Sequence, residues 1–323
     1  MVDPLAEVVM LLQPAARFSK QVVGAGAWRA RRSNAGEPFY CAVLEGSCRL
    51  RPEGGEDIVL HAGDFVLVPA SHGFTMSSLD APADVADAPP LALGDGSFRV
   101  GAAQGPTDLR IMAGHCRFGS PDAALLVSLL PRLLHVPGEP RLATLVRLLG
   151  DESREDRLAR EVVLARLLEV LLIEALRCSA GTGVAPGLVR ALSDARLAAA
   201  IRAIHARPAH GWTVDALAKQ AALSRSAFFE RFNRVMGMPP MEYLLAWRMA
   251  LAKDLLRREN LGLAEVAHRV GYGSASTFSV AFARHLGCPP SQYARRYSSA
   301  TTAEEASVID AIEPSTDGGR AQA

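Results

Sequence analysis

Apolar positions along the chain change their period twice. In "DPLAEVVMLLQP" the residues Leu5, Val8, Val9 and Leu12 recur at helical spacing, which predicts a short amphipathic helix near the start. Residues 20 to 118 carry short β-branched runs instead, "YCAVLEG", "SCRLRP", "DIVLHAGDFVLVP" and "FRVGAA", cut by Gly, Asp and Pro. Such runs predict the strands of an antiparallel sandwich or small barrel. The Pro-rich stretch "DAPADVADAPPLALGDG" between Asp80 and Gly96 predicts a loop. From Ser120 to Arg177 the helical period returns. There Leu158, Val162, Leu167, Val170, Leu171 and Leu176 are expected on one broad apolar face of a long amphipathic helix. "CSAGTGVAPG" (Cys178 to Gly187) has the composition of a linker, and the chain from Asp194 to Tyr297 is helical in pattern. The tail after Ser298 is poor in aromatics and reads as disordered.

The helical third repeats itself. Val214, Leu217 and Ala218 match Leu263, Val266 and Ala267 at an offset of 49 residues. Beyond a turn, Phe228, Phe232, Gly237, Pro239 and Tyr243 match Phe278, Phe282, Gly287, Pro289 and Tyr293 at an offset of 50. The one-residue slip falls in the turn, where insertion costs least. Each copy predicts a short helix, a tight turn, and a second helix whose phenylalanines at i and i+4 face inward. Thr213 is the expected N-cap of the first copy. Gly237 and Gly287 are the expected C-cap positions, with a proline pair blocking continuation. A small residue in each first helix, Ala218 or Ala267, allows close approach. This is the layout of a helix-turn-helix. Helical hairpins also build solenoids, but those stack three or more copies.

Charge separates the two parts of the chain. Net charge is only +1, yet Arg196 to Tyr297 hold 15 Lys and Arg against 6 Asp and Glu, and the remainder holds 20 against 28. A basic third beside an acidic remainder points to a polyanionic partner for one part alone. Five cysteines without paired zinc-type spacing fit a reducing compartment. With no basic leader and no apolar run of membrane-spanning length, the expected location is the cytoplasm, with no membrane partner.

Residues 194–297, with "WRMALA" and "GYGSASTFSVAFARHLGCPPSQYARRY", resemble the DNA-binding domain of AraC/XylS-type transcriptional regulators. The resemblance implies two helix-turn-helix units joined by the long helix "MEYLLAWRMALAKDLLRRE", binding to double-stranded promoter DNA, and activation or repression of transcription with RNA polymerase as a protein partner. The "LEGSCRL" and "AGDFVLVP" runs resemble the cupin-like sensor domain of one branch of these regulators. The expected fold is therefore α+β. A cupin-like β-barrel with flanking helices forms the sensor and dimerisation domain over residues 1–180, and a linker follows over 181–193. An all-α domain with two helix-turn-helix units spans 194–298, and the tail spans 299–323.

Within that frame the outer face of the first recognition helix shows Arg225, Ser226, Phe229, Glu230 and Asn233. Arg, Asn and Glu suit guanine, adenine and cytosine edges respectively. Phe229 suits either a thymine methyl or a contact with the linking helix. The second recognition helix shows Ala275, Ser276, Ser279 and Val280. The family often has an arginine at Val280 and a longer polar residue at Ala275, so weaker base readout is expected there. Arg231, Arg234, Arg269, Arg284, Arg295 and Arg296 are assigned to phosphates, which position without specifying.

A metal-dependent cupin enzyme needs an HxH pair, a Glu and a later His. Here Tyr40 and Cys41 stand at the first strand, with His72, His115 and Cys116 further on. A metal set of Cys41, His72 and His115 or Cys116 is one alternative. A thiol switch is another, because His115 and Arg117 beside Cys116 favour a thiolate. The principal reading is a regulator without catalytic activity and with no cofactor, a homodimer responding to a small-molecule or redox signal.

Overall fold

The computed structural model describes residues 3–295 except 33–36, 70–72, 83–84, 88, 94–96, 121–122, 156, 180–186 and 259–260. His72, Arg296 and the tail after Ser298 therefore lie outside the described residues. Helix α1 (Pro4–Leu12) begins at Asp3, whose carboxylate accepts from Leu5 N at 3.0 Å. Pro4 occupies the first turn, where no N–H is needed. The predicted face of Leu5, Val8, Val9 and Leu12 is buried.

Eleven strands follow among the described residues: β1 (Pro14–Ala25), β2 (Arg29–Arg32), β3 (Phe39–Glu45), β4 (Ser47–Pro52), β5 (Ile58–His61), β6 (Phe65–Val68), β7 (Phe74–Ser77), β8 (Leu91–Ala92), β9 (Phe98–Gly101), β10 (Leu109–Phe118) and β11 (Leu134–Val136). They form a seven-stranded sheet, β11-β6-β3-β10-β1-β9-β8, and a four-stranded sheet, β2-β7-β4-β5. The two sheets remain separate and do not close into a single barrel. Neighbours are antiparallel except β1 and β9. Alternation sends Phe39, Cys41, Val43 and Ile111 from the large sheet, and Cys48, Leu50, Leu60 and Met76 from the small one, into a shared core. Burying one such aliphatic side chain is worth roughly 1.5–3 kcal/mol. The Pro-rich stretch predicted as a loop contains β8 and a bridge from Asp87 to Arg29.

The segment from Ser120 to Arg177 is less uniformly helical than its period suggests. It comprises α2 (Ala123–Ser128), the strand β11, α3 (Pro140–Arg154) and the first eighteen residues of α4 (Arg160–Ser179). Helix α4 buries Leu164, Leu168, Leu171, Leu172, Ala175 and Leu176 against α3, β1 and β11. Of the expected face only Leu171 and Leu176 are buried. Leu167 is half-buried, Leu158 lies outside the helix, and Val162 and Val170 are exposed. Apolar residues cover more than one side of this helix, and the period alone did not indicate which side meets the sheet.

Helices α5 (Leu188–Ser193), α6 (Ala195–Ala206), α7 (Val214–Gln220), α8 (Arg225–Met236), α9 (Pro240–Arg258), α10 (Leu263–Arg269) and α11 (Ala275–Leu286) complete the chain. Part of the expected linker is thus helix α5, with Leu188, Val189 and Ala191 buried. Contacts divide the chain into two compact units. One is Met1–Ala206 with Thr213–Pro240, and the other is Arg207–Trp212 with Met241–Ala323. Within the first unit the buried His205 of α6 reaches Glu7 of α1, Nδ1 to Oε2 at 2.6 Å. Gly187 donates from its N–H to Val235 O at 3.2 Å, and Leu188 donates to Leu129 O at 3.1 Å.

Candidate nucleic-acid interface

The first hairpin pairs α7 with α8. Thr213 caps α7 by accepting from Ala216 N at 3.1 Å, and Ser224 caps α8 by accepting from Ala227 N at 3.3 Å. Gly237 ends α8 at φ +77°, its N–H donating to Asn233 O. Only glycine adopts that left-handed geometry without cost. Phe228 and Phe232 are fully buried, with ring centroids 5.5 Å apart. That fixes the opposite face outward. Arg225, Ser226, Glu230 and Asn233 are all exposed, and Phe229 keeps 41% of its surface. Arg225 touches only a solvated carboxylate, Asp215, at 3.8 Å, a contact worth little.

The second hairpin repeats this construction in its own unit. Ser274 caps α11 by accepting from Thr277 N at 3.1 Å, and Gly287 ends it at φ +73°. Phe278 and Phe282 are buried, with centroids 5.4 Å apart. The turns align at Ala222 and Gly271, both at positive φ, and the cap serines align at Ser224 and Ser274. The extra residue of the second copy is therefore Gly273. Gly271 has no room for a side chain, since a Cβ would lie 2.8 Å from Ala209 O. Arg248 of α9, whose sequence role went unread, braces the same segment by donating to Pro208 O and His210 O, each at 2.8 Å.

The second outer face is poorer in directional donors. Ser276 is exposed and Ala275 is half-buried. The Ser279 hydroxyl donates to Ala275 O at 2.7 Å within the helix. Val280 keeps 71% of its surface, an unusual exposure for a valine. With Leu245, Thr277, Arg284 and His285 it lines a concavity of about 840 Å³. Leu245, Thr277 and His285 were not among the predicted contacts.

The arginines assigned to phosphates divide into two groups. Arg234, Arg284 and Arg295 are exposed. Arg269 pairs with Glu265 at 2.8 Å one turn away. Arg231 is half-buried and donates from Nε to Asp194 Oδ2 at 2.6 Å. Asp194 also accepts from Arg196 N and Leu197 N, capping α6.

In the N-terminal domain, Trp28, Phe39, Phe74 and Met76 wall a cavity of about 190 Å³ also lined by Lys20, Arg32 and His115. Burial lowers the Lys20 ammonium below its usual range, and Arg32 nearby lowers it further. Arg32 touches His115 Nε2 and lies 3.6 Å from Glu37. Of the expected metal set, His72 lies outside the described residues. Cys41 and His115 share the inner face of the sheet, and Cys116, next to His115, faces the other way. Among the described residues no three His, Cys, Asp or Glu side chains converge as metal ligands. Burial pushes the Cys116 thiol up to about 12, the reverse of the direction its charged neighbours suggested. Cys48 is also pushed up to about 12, by burial and then by Asp64. Cys41 lies well above its ordinary value for the same first reason.

A cupin family model matches residues 3–180, and a helix-turn-helix family model matches residues 217–296. An AraC-like transcription regulator of Streptomyces lividans is 36% identical over 299 residues, covering 90% of this chain and 97% of its own. The transcriptional regulator AlkR of Acinetobacter baylyi is 29% identical over 78% of this chain and 85% of its own. Among solved structures, the DNA-binding domain of AdpA in complex with a target DNA is 30% identical and covers 31% of this chain and 90% of its own, with a TM-score of 0.30. The chain belongs to the AraC family of transcriptional regulators, in the branch with an N-terminal cupin domain. It is a DNA-binding regulator of transcription.

Proposed function

We propose that this regulator reads a promoter site unequally with its two recognition helices and adjusts that reading to a small ligand taken up by its N-terminal domain. The observation that carries this reading is the outer face of α8, where Arg225, Ser226, Glu230 and Asn233 stand exposed above a phenylalanine core. Arg225 and Asn233 supply directional donors for base edges. Ser276 and Val280 of α11 suit methyl contact and close approach. Arg234, Arg284 and Arg295 hold phosphates.

Sensing is assigned to residues 1–180 and DNA binding to 194–298. The ligand enters the cavity beside Trp28 and Phe74, where Lys20, Arg32 and His115 favour a group that accepts hydrogen bonds. The exposed valines of α4 form the homodimer contact. The protein works in the cytoplasm with RNA polymerase and has no catalytic activity of its own. No helix among the described residues is long and apolar enough to cross a membrane.

Selection of randomised duplexes by the full-length protein tests the reading. A recovered site with one half richer in information than the other supports it. Recovery of no sequence above background sinks it.

A further inference from the structure

We propose that the outer face of the four-stranded sheet is a separate binding site for a small molecule carrying two or more phosphate groups. The register of β2, β7 and β4 aligns two rows across the sheet. Arg29, Ser77 and Arg49 form one row, and Arg31, Thr75 and Arg51 form the next. Strand alternation sends Ala30, Met76 and Leu50 between these rows into the core. Four guanidinium groups therefore stand at the corners of a rectangle with two hydroxyls along its middle. From strand geometry the corners lie about 10 Å apart across the sheet and about 7 Å apart along it.

Leu79, Pro82 and Val85, after β7, border this face and fix two of the corners. Arg29 donates to Val85 O at 3.1 Å and to Pro82 O at 3.3 Å, and Arg49 donates to Leu79 O at 3.3 Å. These carbonyl contacts orient the Arg29 and Arg49 guanidinium groups. Among the described residues the nearby carboxylates include Glu53, 3.7 Å from Arg31, Asp57, which pairs with Arg51 and lies 3.7 Å from Arg49, and Asp87 on the wall. Arg31 and Arg51 are more than 60% exposed in their pairs. The single Arg31–Glu53 contact is of the solvated kind that contributes little, while Arg51 holds Asp57 by two bonds that a more highly charged anion would have to displace. A molecule with two or more phosphates is such an anion, because it carries more charge than a single carboxylate and the guanidinium fork donates to each phosphate in two parallel bonds. The concavity measures about 420 Å³, a size suited to a small solute.

Strand β2 is shared between this site and the inter-sheet cavity. Arg29 and Arg31 face outward, Ala30 and Arg32 border the cavity, and Arg31 touches both. A phosphorylated solute outside thus acts on the same four-residue strand as a ligand inside.

Isothermal titration of the full-length protein with inorganic pyrophosphate, and separately with ADP, tests the proposal. We expect one site per chain. Arg29→Gln with Arg49→Gln should weaken binding at least about tenfold through loss of both forks. Arg29→Lys with Arg49→Lys, which keeps the charge and loses the fork, should weaken it about threefold or more. This second variant decides the matter if the glutamine variant does not fold. Arg225→Ala with Arg284→Ala should bind pyrophosphate as the wild type does. Tighter binding of ADP than of pyrophosphate supports the site with a nucleotide as its ligand, and equal binding supports it with the phosphates alone recognised. Wild-type affinity in both the glutamine and lysine variants overturns the proposal. So does loss of binding only in the Arg225/Arg284 variant, or no binding of either probe at millimolar concentration.

Discussion

Arg231, on the recognition helix α8, is bonded to Asp194 at the start of α6, with Nε donating to Oδ2 at 2.6 Å. The same carboxylate caps α6 through Arg196 N and Leu197 N. This arginine, expected on a phosphate, is engaged in tying α8 to its scaffold. Arg231→Ala should lower stability by roughly 1–2 kcal/mol, a charged hydrogen bond with a partly buried partner. Its salt dependence of DNA binding should match the wild type. Thermal melts and salt titrations of the variant separate the two effects.

The Asp194 carboxyl is raised by burial, but the bonds from Arg231, Leu197 N and Arg196 N outweigh this and hold it below the ordinary carboxylate range. A carboxyl lowered in the folded state stabilises fully above its unfolded value, near 3.9, and that contribution is lost as pH falls further. Asp194→Asn should flatten the acid limb of the stability curve below about pH 4. Melting between pH 3 and pH 7 checks it.

His205 gives a second and separate window. Burial lowers its pKa, and the bond from Glu7 only partly opposes this. A histidine buried in its neutral form stabilises fully above its unfolded value of about 6.5, and the contribution is lost as pH drops below that. The melting temperature of the wild type should therefore start to fall below about pH 6.5, and His205→Gln should remove that part of the slope. An unchanged slope in the variant would count against the assignment.

Base readout should be unequal between the two hairpins. Arg225→Ala and Asn233→Ala should each cost on the order of 1–3 kcal/mol and relax preference in one half of the site. Arg284→Ala should weaken all sequences alike and reduce the salt slope by about one. Equal information in the two halves, found by selection on random duplexes, would show that the assignment of roles is wrong.

Helix α4 leaves Val162, Val163 and Val170 exposed at 62%, 39% and 42%. If these valines join two copies, Val162→Glu with Val170→Glu should shift the protein to monomer in sedimentation equilibrium. The far-ultraviolet spectrum should stay unchanged, because neither side chain is in the core. A wild-type protein that is monomeric at high micromolar concentration removes the dimer.

What could be read from the chain alone was local. The N-cap at Thr213 and the C-caps at Gly237 and Gly287 lie within a few residues of the groups they bind, so composition and spacing identify them. The inward phenylalanines of α8 and α11 were readable for the same reason. Chain-local reading fell short where a distant partner decides. Arg231 meets a carboxylate 37 positions earlier, and β11 is only three residues long, defined by its pairing to β6. The sides of α4 are apolar on too wide an arc for period to choose the buried one. Cys116 and His115 are adjacent in sequence, yet a strand turns them to opposite faces, so their neighbourhood in the chain misled. The corner arginines of the small sheet stayed unread because their grouping depends on register between strands.

Gly187 stands at φ +73°, and a Cβ there would lie 2.5 Å from Leu129 O. Its N–H donates to Val235 O near the end of α8, while its neighbour Leu188 donates to Leu129 O just after α2. α8 and the turn after α2 are thus tied together by main-chain groups of two adjacent residues. Side-chain substitutions elsewhere leave these donors and acceptors in place, whereas position 187 itself requires glycine.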